Sequence, residues 1–149
     1  MKTIARRKLL QSILTLAAVA ALPGRVFARA IEAFKAESVD EVLTNLVGGM
    51  PIEESDQIKF KVPKIAENGA VVPVRISTTL DGVERIFLVI DNNPTPLSAV
   101  FEIGPRTVAD VSARVKIGES SMARVVVQAG GKAYTTSKEV KVTIGGCGG

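Results

Sequence analysis

Seven short runs rich in β-branched residues fill the chain from Gln57 to Ile144, and each is closed by a turn signal. In the first run, Ile58, Phe60 and Val62 alternate with Lys59 and Lys61, which is the period of a strand that buries one face. The others are Ala70 to Thr78, Arg85 to Ile90, Leu97 to Ile103, Val108 to Ile117, Ala123 to Ala129 and Lys132 to Ile144. Between them stand Asn68-Gly69, Asp81-Gly82, Asp91 to Pro96, Gly104-Pro105, Gly118 to Ser121 and Gly130-Gly131, all combinations that favour turns. The two-residue Gly130-Gly131 loop predicts a tight hairpin. Seven strands at this spacing, with no helical segment among them, predict a mainly β fold: an immunoglobulin-like antiparallel sandwich.

Before these runs the period changes. Ile31, Phe34, Val39, Val42, Leu43 and Leu46 form a near-helical stripe with charged residues between them. Ser38 with Glu41 three residues on reads as a capping box, and Gly48-Gly49 as the stop of a short N-terminal helix.

The first 28 residues read as an export signal. Lys2, Arg6, Arg7 and Lys8 precede an apolar stretch from Ser12 to Leu22, a Pro23-Gly24 break and the small-residue pattern Val26-Phe27-Ala28. The stretch is short for a bilayer span, so no stable membrane anchoring is expected. The adjacent Arg6 and Arg7 with Leu9-Leu10 fit a twin-arginine signal, an ordinary secretory leader being the alternative; cleavage after Ala28 or Ala30 fits equally. The segment also carries the basic excess. The whole chain has a formal charge of +4, whereas residues 29–149 hold 14 basic and 15 acidic side chains. The mature chain therefore has no overall basic footprint for nucleic acid.

No histidine and one cysteine occur in the sequence. Ser-His and Cys-His nucleophiles, His-ligated metals, thiolate clusters and intrachain disulfides are thereby excluded, and no cofactor is expected. Arg75, Arg85, Arg106, Arg114 and Arg124 read either as an anion-attracting surface or as solvated strand faces. The Asp91 to Pro96 loop reads as a partner-docking loop or, more simply, as an inter-sheet connection.

The last strand gives way abruptly to Gly145, Gly146, Cys147, Gly148 and Gly149. Four glycines leave nothing to pack, so residues 145–149 are expected to form a mobile arm after a domain of residues 29–144. The arm places the thiol roughly 10 Å beyond the last strand residue. No base or cation adjoins Cys147, and the nearby terminal carboxylate opposes thiolate formation. A carrier thiol activated by partner enzymes fits this setting; an incidental thiol or one that only cross-links chains, as in a periplasmic structural or adhesion module, is the alternative.

The paired arginines, the segment from Ile65 to Val74, Asn93-Pro94-Thr95-Pro96, the strand Ser137 to Ile144 and the Gly-Gly-Cys-Gly-Gly ending together resemble the SoxY family. Its members are sulfur-carrier subunits of the bacterial thiosulfate-oxidising Sox system. The resemblance covers essentially the whole chain. It implies a periplasmic protein, not an enzyme, forming a heterodimer with SoxZ and carrying thiosulfate-derived intermediates on Cys147. It further implies transient partners: SoxXA to load the cysteine, SoxB to release sulfate and, where present, SoxCD to oxidise the remaining sulfane sulfur.

Overall fold

The computed structural model describes residues 33–143. The expected leader (1–28) and arm (145–149) lie outside these residues. Among the described residues helix α1 (Val39–Val47) precedes nine strands: β1 (Ile52–Glu54), β2 (Ile58–Lys61), β3 (Ile65–Ala66), β4 (Val72–Thr78), β5 (Val83–Ile90), β6 (Leu97–Glu102), β7 (Asp110–Val115), β8 (Ser121–Ala129) and β9 (Lys132–Val142). All seven expected strands are present, and they form a two-sheet sandwich of the expected immunoglobulin-like class. The large sheet runs β1-β9-β8-β5-β6 with β3 also on β9; the small sheet runs β2-β4-β7.

Two strands escape the sequence reading, and both correct the picture of a wholly antiparallel sandwich. β1 and β3 pair with β9 in parallel, at Ile52↔Ala133 and Ile65↔Lys141 respectively. A three-residue and a two-residue strand are too short to express a period, so pattern reading passes over them. Elsewhere the elements are locally dictated. Gly130 and Gly131 both adopt positive φ, 56° and 75°, and close the β8–β9 hairpin between Ala129 and Lys132.

The helix starts where expected for its second part. Ser38 is extended and its Oγ accepts a hydrogen bond from the Glu41 amide at 3.2 Å. Gly48 ends it at φ 60°, its N–H donating to the Thr44 carbonyl at 2.9 Å.

Side-chain alternation sorts the core into two layers. Ile86, Leu88 and Ile90 of β5, with Val125 and Val127 of β8, face Phe60, Val74, Ile76 and Ile117 across the sandwich. The opposite sides of the same strands present Phe87, Val89 and Val126 to Val42, Leu46 and Val47 of the helix. Because the helix covers its outer face, β5 loses the in-out pattern and is buried continuously from Ile86 to Ile90. A polar tie completes this layer: Gln128 Nε2 donates to the Leu46 carbonyl at 2.9 Å, satisfying one of the acceptors a helix leaves open at its last turn. The small sheet's outer face has no helix upon it among the described residues.

Candidate functional site

Cys147, Gly145, Gly146, Gly148 and Gly149, together with Arg6 and Arg7, fall outside the described residues. What the fold fixes is the point from which the thiol-bearing segment departs, the last turn of chain in β9. Alternation on β9 points Val140 and Val142 into the core and leaves Lys141 outward.

Four interactions hold this strand end. The Lys141 amide donates to the Lys64 carbonyl at 2.9 Å and the Thr143 amide to the Ala66 carbonyl at 3.1 Å, so β3 acts as a short splint along it. The Val142 amide, which points the other way, donates to Ser120 Oγ at 3.0 Å. The Val142 side chain lies over Gly69, where an added Cβ would stand 2.9 Å from Val142 Cγ1 and well inside contact distance of the Ile117 carbonyl oxygen. Gly69 is therefore a glycine because β9 and the β7–β8 connection close on its backbone; its own carbonyl accepts from the Ile117 amide at 2.7 Å.

The Ser120 end of the clamp is itself held. Asn92 Nδ2 donates to the Ser120 carbonyl at 2.8 Å, and Asn93 bridges the Lys116 carbonyl and the Gly118 amide at 2.8 and 3.0 Å. Asp91 binds Arg124 through both carboxylate oxygens, at 2.9 Å to Nε and 2.8 Å to Nη2. That hydrogen bond raises the Arg124 pKa above its ordinary value, keeping the guanidinium charged. The Asp91 to Pro96 loop corrects the expectation of an inter-sheet connection: it joins β5 to β6, paired antiparallel within the large sheet, and its side chains brace the β7–β8 turn. Ser120, Lys64 and Gly69 were not singled out by sequence. Asn68-Gly69 carried a turn signal, correctly, but close packing on Val142 leaves no mark in composition.

Beside the strand end lies a cleft of about 560 Å³ lined by Val62, Lys64, Ile65, Lys138, Glu139 and Lys141. Ile65 is 59% exposed there, so the cleft pairs an apolar wall with three ammonium groups and one carboxylate, Glu139.

The five arginines do not gather into one surface. Arg85 sits opposite Glu102 at 3.7 Å, Arg124 is tied to Asp91, and Arg106 occupies the exposed turn after β6. Arg75 and Arg114 alone share a face, the outside of the small sheet, with Lys59 and Lys61. Arg75 forms a bidentate pair with Asp110 at 2.9 and 2.6 Å, which lowers the Asp110 pKa and raises that of Arg75. Among the described residues no group of three or more His, Cys, Asp or Glu side chains is placed to hold a metal, and no helix is long and apolar enough to cross a membrane.

The profile of the family described as sulfur oxidation protein SoxY matches residues 43–147, so the match extends from the helix through the single cysteine. The solved structure of the sulfur carrier protein SoxY from Chlorobium limicola f thiosulfatophilum is 42% identical, covers 72% of this chain and 97% of its own, and superposes with a TM-score of 0.66. A superoxide reductase (neelaredoxin) from Ignicoccus hospitalis, 17% identical over 62% of this chain and 95% of its own, has a TM-score of 0.54 and shares the fold alone. No curated protein matches the chain. A β-sandwich whose last strand is clamped just ahead of a lone thiol, matched through that thiol by the family profile and at 42% identity by a carrier of known structure, belongs to the SoxY family of Sox-system sulfur carriers.

Proposed function

We propose that the protein holds thiosulfate-derived sulfur covalently on the Cys147 sulfur and presents it to enzymes that load, hydrolyse and oxidise it. The observation that carries this reading is the clamp on Val142 and Thr143. It gives a rigid base four residues before the thiol, while the four glycines around Cys147 contribute no side chain that would block entry to a narrow active site. Four extended residues span about 13 to 14 Å, which sets the reach of the sulfur beyond the clamp.

Loading joins the thiol to thiosulfate. The thiol loses its proton, a sulfur–sulfur bond forms to the terminal sulfur of thiosulfate, and two electrons leave to the haem enzyme SoxXA. SoxB then hydrolyses the terminal sulfonate to sulfate, and SoxCD, where present, oxidises the sulfane sulfur that stays behind. No base adjoins Cys147 in sequence, so catalysis of these steps falls to the visiting enzymes. Its contribution is position and charge: the cleft at the strand end offers Val62 and Ile65 to sulfane sulfur, and Lys64, Lys138 and Lys141 to a sulfonate. SoxZ is the expected partner in a heterodimer. Arg6 and Arg7 support twin-arginine export of the folded pair to the periplasm.

The test is Cys147→Ser in a reconstituted thiosulfate-oxidising system. Loss of turnover with the heterodimer intact is the expected outcome; full turnover would favour a cross-linking thiol.

A further inference from the structure

The outer face of the small sheet carries a charge pattern that neither the clamp nor the thiol uses. Strand register places Lys59 beside Ser77 and Ser77 beside Asp110, then Lys61 beside Arg75 and Arg75 beside Ser112, and Pro73 beside Arg114. Lys138 of β9 reaches the same open cleft, whose volume is about 770 Å³. With strands about 4.8 Å apart and about 3.4 Å per residue, the patch measures roughly 10 by 14 Å.

Four cations of this face, Lys59, Lys61, Arg75 and Arg114, with Lys138 at the adjoining cleft, thus accompany one carboxylate of the face, Asp110, which is already bound to Arg75. Among the described residues Lys59, Lys61, Arg114 and Lys138 have no carboxylate within ion-pair distance. The asymmetry is large for a segment that carries more acidic than basic residues from position 29 onward. Structural need does not account for it, because the cations are exposed and like charges across neighbouring strands weaken a sheet.

We infer that this face docks the visiting enzymes through an acidic protein surface, and so steers them to the thiol. The inference rests on the carrier reading above. A protein surface suits the patch better than a small oxyanion does. Every cation stands in water, and the backbone amides beneath are committed to the sheet, so a lone anion meets no desolvated donor. A broad, flat set of unpaired charges instead complements an extended surface and raises the rate of encounter. The location agrees with this role, since Lys138 belongs to the strand that leads into the thiol-bearing segment.

The experiment compares wild type with K59Q/K61Q/R114Q, each assembled with SoxZ and assayed in the reconstituted system at limiting carrier. At low ionic strength the triple variant is expected to turn over about tenfold more slowly, the difference shrinking to within twofold at 0.5 M salt as screening removes steering. The single variant R114Q is expected to lose about twofold, and serves should the triple variant fold poorly. Labelling of Cys147 by a small neutral maleimide is expected to be unchanged. Wild-type rates for both variants at low salt would overturn the inference. So would loss of the heterodimer, which would make this face the subunit interface. So would amide shifts on β2, β4 and β7 induced by 1 mM thiosulfate alone and abolished in the triple variant, which would make it a small-anion site. The carrier reading fails separately, through an active Cys147→Ser.

Discussion

Replacing Gly69 with alanine tests whether the strand end is rigidly held. The added Cβ would fall against the Ile117 carbonyl oxygen and 2.9 Å from Val142 Cγ1. Neither neighbour is the free end of a flexible chain: one is backbone within the core, the other a β-branched side chain on the strand to be positioned. Relief therefore needs the loop from Asn68 to Ala70 to move away from Ile117, which stretches the 2.7 Å bond from the Ile117 amide to the Gly69 carbonyl. Overpacking of this kind costs about 1 to 3 kcal/mol and a weakened buried hydrogen bond about 1 kcal/mol, so roughly 2 to 4 kcal/mol is expected in all. For a domain of this size that lowers Tm by about 8 to 15 °C. Urea titration should show a lower midpoint with an unchanged slope. Gly130→Ala is the control, because nothing lies within 4 Å of its added Cβ and only its positive φ of 56° is strained; about 1 kcal/mol is expected there. Gly69→Ala within about 0.5 kcal/mol of wild type would refute the close approach and with it the clamp.

Three further outcomes follow from single interactions. Ser38→Ala removes the acceptor for the Glu41 amide and should cost about 1 kcal/mol by chemical denaturation, whereas Ser38→Asp should retain most of the stability. Gln128→Leu leaves the Leu46 carbonyl without its donor in a site where Gln128 is only 8% exposed, and should cost about 1 to 3 kcal/mol by the same measurement. Asp110→Asn tests the ion pair with Arg75 through pH. Because Arg75 holds the folded-state pKa of Asp110 below its unfolded value, the pair's contribution is present above the ordinary carboxylate range and is lost as pH falls through the depressed value. Wild type and Asp110→Asn should therefore differ in Tm at neutral pH and converge in acid; a gap that persists in acid would assign the difference to something other than charge.

How far the fold could be read depended on the length of each element. The β8–β9 hairpin was legible because two glycines with no side chain between long strands have one economical use, and both adopt the positive φ that use requires. The helix was legible from its cap and its stop. β1 and β3 were not, because one apolar residue in Ile52–Glu54 and a pair in Ile65–Ala66 carry no period, and their parallel pairing with β9 depends on the course of the chain between distant segments. At the site, composition pointed to Cys147 by exclusion, and the resemblance assigned it a role. The clamp was silent in sequence: Ser120, Gly69 and Lys64 are ordinary turn and linker residues whose function arises only when the β7–β8 turn and the segment before β4 meet at Val142. Of the five arginines considered, only Arg75 and Arg114 share a face, and the lysines that complete it were first seen merely as the outward half of a strand.

The most direct measurement of the central claim is intact-protein mass spectrometry of the mature protein from cells grown on thiosulfate, before and after reductant, with the modified peptide mapped. The account predicts additions in steps of sulfur or thiosulfate that map to Cys147 and disappear on reduction. A single unmodified species, or a disulfide-linked dimer alone, would contradict it.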